Sequence, residues 1–176
     1  SKEKWDKLID VWVLKNKEFY FKEGITWSII GSSNFGVRYA PEGSVFDVGG
    51  SSAFPQKNNL LYIMAYLSSK ITISFLKILA PTINYQVGDL KLLPIIFPKQ
   101  ESIKQQIDKF SKECIDISKE EWDSRETSWD FTKNELLKHK SDSKLETAYN
   151  NYCSYWKEKF YKLHANEEEL NRLFID

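Results

Sequence analysis

Pro94 and Pro98 divide this 176-residue chain into two stretches of different kind. Each proline lacks an amide donor and restricts the residue before it, so no helix runs through 94–98. Beyond that break, residues 99–176 contain neither glycine nor proline, and their apolar residues recur at helical spacing. Before it lie all seven glycines, set among short β-branched and aromatic runs. The chain reads as α+β: a mixed region over residues 1–98 and a helical hairpin or spacer over residues 99–176.

In the first region, Trp5, Leu8, Ile9 and Trp12 predict a short opening helix. Strands are expected at 19–21, 24–30, 35–39 and 44–48, with turns at 40–43 and 49–52. A single long helix is expected over 59–79, because Leu60, Ile63, Met64, Leu67, Ile71, Phe75 and Leu79 form one apolar stripe. Residues 81–87 read as extended, with Asp89 capping a brief turn over 90–93. In the second region, Ile103, Ile107, Phe110, Cys114 and Ile117 form one seam. Leu145, Tyr149, Tyr152, Trp156, Phe160 and Leu163 form another, and the two seams predict an antiparallel helical pair. Asn166 followed by Glu167, Glu168 and Glu169 has the pattern of a new helix start.

Composition narrows the function classes. The apolar runs are short and interrupted by Lys, Ser or Asn, so no membrane span is expected. Cys114 and Cys153 lack the paired spacing of a zinc site or disulfide framework, which fits a reducing, cytoplasmic setting. The chain opens Ser-Lys-Glu-Lys without methionine and reads as a segment of a longer protein. Its 25 basic and 25 acidic side chains balance, but residues 1–98 carry a net +3 and residues 99–176 a net −3. An anionic partner therefore suits the first region better.

One glycine loop stands out as a place for chemistry. Val45 to Phe54 looks like a strand entering a cofactor loop, but Gly49 and Gly50 are adjacent and Pro55 follows before any helix. A phosphate-cradling loop needs spaced glycines opening directly into a helix, so this stretch reads as a hairpin or loop, with no cofactor assigned to the chain. His139 and His164 read as solvated helix residues and Cys114 as a buried structural thiol. The acidic groups at 120–130 read as solvated faces. No catalytic residue is assigned.

Binding has better material. Ser32 and Asn34 lie in a polar loop, and Arg38 is the only arginine of the first region. Lys57 sits at a helix start, and Asn84 and Gln86 flank Tyr85. Arginine can read guanine, and asparagine or glutamine can read adenine, through paired hydrogen bonds. Lysine and serine suit phosphates. These six residues are the expected DNA contacts.

Three longer stretches, 26–55, 79–95 and 121–131, together with 165–175, resemble the non-catalytic part of the adenine-specific DNA methyltransferases of BREX phage-exclusion systems, and of related type IIG restriction-modification enzymes. They include Trp27-Ser28-Ile29-Ile30-Gly31-Ser32-Ser33-Asn34-Phe35-Gly36, Asn84-Tyr85-Gln86-Val87-Gly88-Asp89-Leu90 and Glu121-Trp122-Asp123-Ser124-Arg125. More loosely, the order of elements is similar to a target-recognition domain with its helical spacer. The resemblance implies an upstream catalytic domain that binds S-adenosylmethionine and methylates adenine, with this segment choosing the sequence on duplex DNA. It leaves open whether the parent also cleaves DNA. Residue pattern alone also admits a helical protein-interaction module that docks the catalytic domain or other phage-defence subunits.

Overall fold

A computed structural model describes residues 16–31 and 34–175. The expected opening helix with Trp5, Leu8, Ile9 and Trp12 lies outside the described residues. Among the described residues one antiparallel sheet holds three strands in the order β2-β1-β3: β1 is Gly24–Ser28, β2 Arg38–Ala40 and β3 Gly50–Ala53. The helices are α1 (Leu60–Ser68), α2 (Lys70–Leu79), α3 (Val87–Leu90), α4 (Glu101–Asp123), α5 (Glu135–Lys138) and α6 (Leu145–Ile175). The mixed architecture agrees with the α+β expectation.

Alternation along β1 sets the geometry of the sheet. Ile25 and Trp27 are almost fully buried, while Ser28 is exposed, so odd positions meet the core. The Trp27 indole donates to the Tyr85 carbonyl at 2.9 Å, which satisfies its only polar atom. Gly24 is required for packing. A Cβ there would lie 2.7 Å from the Ala53 carbonyl and 3.0 Å from the Phe54 ring.

The strand expected at 44–48 is a loop, and β3 is instead the Gly50–Ala53 run read as its turn. Val45 and Val48 point to water, and the Phe46 ring packs on Tyr20 and Phe54. Asp47 accepts the Gly50 amide at 2.9 Å and so launches the strand. The Phe19 stretch is a 3-10 turn at Lys17–Phe19 rather than a strand, and Phe21 sits at φ 64°. The turn before the loop holds, with Gly43 at φ 97° and its amide bonded to the Phe21 carbonyl.

The helix expected over 59–79 breaks at Ser69, where two helices meet at 68°. Ser69 has ψ 156° and its hydroxyl accepts the Thr72 amide, capping α2, while Thr72 donates back to the Tyr66 carbonyl at 2.6 Å. An apolar stripe cannot reveal a break that preserves the buried face. The bend lets α1 serve two cores. One gathers Ile25, Trp27, Leu60, Met64, Leu67, Leu76 and Leu93 under the sheet. The other joins Tyr62 and Ala65 to Ile107 of α4 and Leu170 of α6. No single helix is long and apolar enough to cross a membrane among the described residues.

The proline break is fastened to α1. The Tyr62 and Tyr66 hydroxyls donate to the Ile96 and Pro94 carbonyls at 2.6 and 2.8 Å. Beyond it α4 and α6 form the expected antiparallel pair, with Glu120 near Tyr155 and Glu113 near Asn166. The second seam is corrected at three of its six positions, while Tyr152, Trp156 and Leu163 are half-buried. Leu145, Tyr149 and Phe160 face water, and α6 presents Ala148, Asn166 and Leu170 to its neighbours. Nor does a helix start at Asn166. Helix α6 runs through it, and Asn166, 2% exposed, donates to Glu113 across the pair at 2.9 Å. The short turn near Asp89 starts earlier than expected, at Val87, and Asp89 accepts the Gln86 amide at 2.9 Å.

Candidate nucleic-acid interface

The expected contacts fall at three places on the sheet region. Beyond Ser28 the chain stays paired. The Ile29 carbonyl accepts the Tyr85 amide at 2.7 Å, the Ile83 carbonyl accepts the Gly31 amide at 3.0 Å, and Ile30 bridges Asn84. Residues 83–85 are thereby pinned beside the start of the polar loop. Asn34 at the end of that loop lines a shallow cleft of about 170 Å³ with Phe35, Lys77, Thr82 and Tyr85. Asn34, Asn84 and Gln86 therefore gather at one end of the sheet, and all three are exposed. Ser32 lies outside the described residues.

Arg38 is separate. It lies opposite Thr26, which in turn lies opposite Ser52. Directly paired residues share a face, so these three form a row on the outer side of the sheet. Arg38 is exposed on that open, small-residue face. Lys57 is separated further. Its ammonium is 3.8 Å from Glu23, just before β1, at the strand end opposite Asn84. Seven residues of extended chain separate those ends by roughly 23 Å. The Tyr39 hydroxyl also donates to Glu23 at 2.9 Å, and burial together with that carboxylate raises the Tyr39 pKa. Because Tyr39 and Arg38 are neighbours in one strand, Lys57 and Arg38 lie towards opposite faces.

Sequence reasoning missed Lys77. It stands in the last turn of α2 and lines the cleft with Asn34. The only sequence signal was a cation in a helix's final turn, which many helices carry for their dipole. Lys77 reached the site through the bend at Ser69, which the apolar stripe concealed.

Elsewhere the titratable groups serve packing. Among the described residues, no group of three or more His, Cys, Asp or Glu could hold a metal ion. Cys114 is half-buried, and desolvation pushes its thiol up to about 11, as expected for a structural cysteine. His139 departs from the solvated reading. It is largely covered, 3.2 Å from Glu135, with its ring against Tyr155. Glu120, read as part of a solvated face, is half-buried. Burial works against its ionised form, but Lys159 and Tyr155 outweigh it and hold the carboxyl below its usual value. A cavity of about 300 Å³ at this end of the hairpin is lined by Glu120, Asp123, Asp130, Glu135 and the lysines between them.

No family model matches the chain. Over 166 residues, 92% of the chain, it is 40% identical to the adenine-specific methyltransferase PglX of Lacticaseibacillus casei (strain Zhang). Over 163 residues, 91% of the chain, it is 34% identical to the adenine-specific methyltransferase BrxX of Escherichia coli O9:H4 (strain HS). The resemblance read from the sequence thus holds along almost the whole chain. The chain spans only 14% and 13% of the length of these curated relatives.

Proposed function

We propose that this chain, homologous to a segment of adenine-specific methyltransferases, is the part of such an enzyme that selects its DNA sequence. The observation carrying this reading is the pairing of Ile30 with Asn84, which holds one exposed amide side chain beside a loop ending in another, Asn34. Side-chain amides from two separate stretches, with Gln86 next to them, suit the paired donor and acceptor of an adenine edge. Arg38 on the open sheet face and Lys77 at the cleft suit guanine and phosphate. In this reading the parent belongs to a phage-defence system. Its catalytic domain, outside this chain, binds S-adenosylmethionine and transfers the methyl group. Helices α4 and α6 set the spacing between the two.

The test is methylation by the full-length parent on a randomised duplex pool, at several salt concentrations. Asn84→Ala and Gln86→Ala should relax the preferred sequence, by about 1–3 kcal/mol for each paired hydrogen bond to a base edge that is removed. Lys77→Ala should weaken all sequences alike and lower the salt slope by about 1. An unchanged preferred sequence in both amide variants would remove those residues from the interface. The second reading, a protein-docking module, draws support from Trp129, which stands fully exposed at the hairpin tip.

A further inference from the structure

Where the chain leaves β1, its pairing with residues 83–85 sets two unlike side chains next to each other. The Gly31 amide bonds the Ile83 carbonyl at 3.0 Å, and the Tyr85 amide bonds the Ile29 carbonyl at 2.7 Å. Those two bonds flank the Ile30–Asn84 bridge, so the two residues form a non-hydrogen-bonded antiparallel pair. In such a pair the Cα atoms stand about 4.5 Å apart and the side chains are at their closest. Both side chains are exposed, Ile30 at 66%. The bridge is anchored on the core behind it. The Trp27 indole holds the Tyr85 carbonyl at 2.9 Å, and the Tyr85 ring meets the Phe35 ring at 5.0 Å. A β-branched side chain has few rotamers to lose, so Ile30 is pre-ordered as well as exposed.

A single exposed isoleucine is ordinary on a protein surface. This one stands fixed beside an amide, and that juxtaposition has a counterpart on DNA. In the major groove an A·T pair presents the adenine N7 acceptor and N6 donor, which an amide bonds together. Next to them lie the thymine O4 and C5-methyl. That methyl is the apolar group of the major-groove code, and a G·C pair has none. An amide and a branched alkyl group side by side therefore match the adenine and thymine edges at once. Of the carboxylates on adjoining stretches, Asp47 bonds the Gly50 amide and Asp89 the Gln86 amide, and Lys77 supplies a cation at the cleft. We infer that Ile30 packs against the C5-methyl of a thymine beside the adenine that Asn84 holds. This deepens the reading of the chain as the DNA-selecting segment and rests on it.

Methylation by the full-length parent, on duplexes carrying its preferred sequence, tests this. Each thymine on either strand is replaced in turn by deoxyuridine, which deletes only the methyl group and keeps the base pair. At one position the replacement should lower kcat/KM about fourfold, the worth of one methyl taken out of apolar contact. In Ile30→Ala the thymine duplex should already be slower by about that factor, and the same deoxyuridine should cost nothing more. Ile30→Val, which keeps a β-branched alkyl group, should retain most of the preference for thymine. A deoxyuridine effect of equal size in Ile30→Ala and in the unaltered enzyme overturns the inference. So does the absence of any methyl-sensitive position. The amide variants test the underlying reading separately. A preferred sequence relaxed in Asn84→Ala, with no methyl sensitivity anywhere, would keep that reading and remove Ile30 from the interface. Methyl sensitivity tied to Ile30, with both amide variants unchanged, would keep Ile30 on thymine and remove the amides.

Discussion

The sheet and the helical hairpin place their polar side chains in opposite ways. Around the sheet, Arg38, Asn34, Asn84 and Gln86 are exposed, and the buried polar groups beneath, in Trp27, Tyr66, Ser69 and Thr72, bond mostly to backbone. In the hairpin the polar groups are turned inward. Asn166 bonds Glu113, Ser111 bonds the Leu61 carbonyl at 2.8 Å, and buried Glu135 receives the Trp156 indole at 3.2 Å. A buried polar group fixes register because only one alignment satisfies it. The hairpin is thereby specified by its interior polar bonds, whereas Arg38, Asn34 and Asn84 at the sheet face water.

Substitutions can break this contrast, and the largest effect belongs to the sheet's core. Trp27→Ala removes a fully buried indole and orphans the Tyr85 carbonyl, and should cost about 3–5 kcal/mol in urea unfolding. Because Tyr85 lies between Asn84 and Gln86, the same change should also disorder the amide cluster. Asn166→Ala comes next, at about 1–3 kcal/mol, because it strips a partner from the Glu113 carboxylate at the helix pair. Equal stability of the variant and parent chains in denaturant would refute a structural role for this asparagine. Ser69→Ala should cost about 0.5–2 kcal/mol by removing the cap of α2, and a loss confined to the sheet side would show that the bend serves mainly that core.

Acid sharpens the comparison further. Hydrogen bonds from Lys162 and Asn166 hold the Glu113 carboxyl below its ordinary 4.5. The folded chain therefore binds fewer protons than the unfolded chain in that range, and its stability rises with pH there. The contribution is present above pH 4.5 and disappears as pH falls through the lowered folded value. Thermal unfolding between about pH 6 and 3 should show this loss, and Glu113→Gln should reduce its slope. The smallest effect is expected at Arg38→Ala, within about 0.5 kcal/mol of the parent chain. A large drop in melting temperature there would mean that the sheet, too, depends on its polar side chains for stability.

How far these features are legible in the sequence varies with the kind of interaction. The antiparallel helices, β1 and the proline break follow from spacing and backbone chemistry, which are local. The α6 face is hidden because an aromatic stripe through Tyr149 and Phe160 resembles a core seam. The packed face instead includes Asn166 and small Ala148, which carry no hydrophobic signal. The sheet's third strand is hidden because the β-branched residues at 44–48 outscore glycine and serine in any local scale. Gly50–Ala53 wins through its pairing with β1, where the close approach at Gly24 leaves no room for a Cβ. Among the site residues, the polar loop character of Asn34, Asn84 and Gln86 is readable from sequence, but their gathering is not.

By itself the sequence determined that no helix crosses Pro94 and Pro98 and that two long helices pair beyond them, and it determined the likeness to the methyltransferases, since both are written in residue type and order. Tertiary structure alone decided that Ile30 pairs with Asn84 across more than fifty residues, that Lys57 turns toward Glu23 and away from the amides, and that Ser69 bends the apolar helix to bring Lys77 to the cleft. The reason is the range of the forces. Backbone propensity and amphipathic spacing act within a few turns, while pairing, capping at a bend and burial are settled only when distant segments meet.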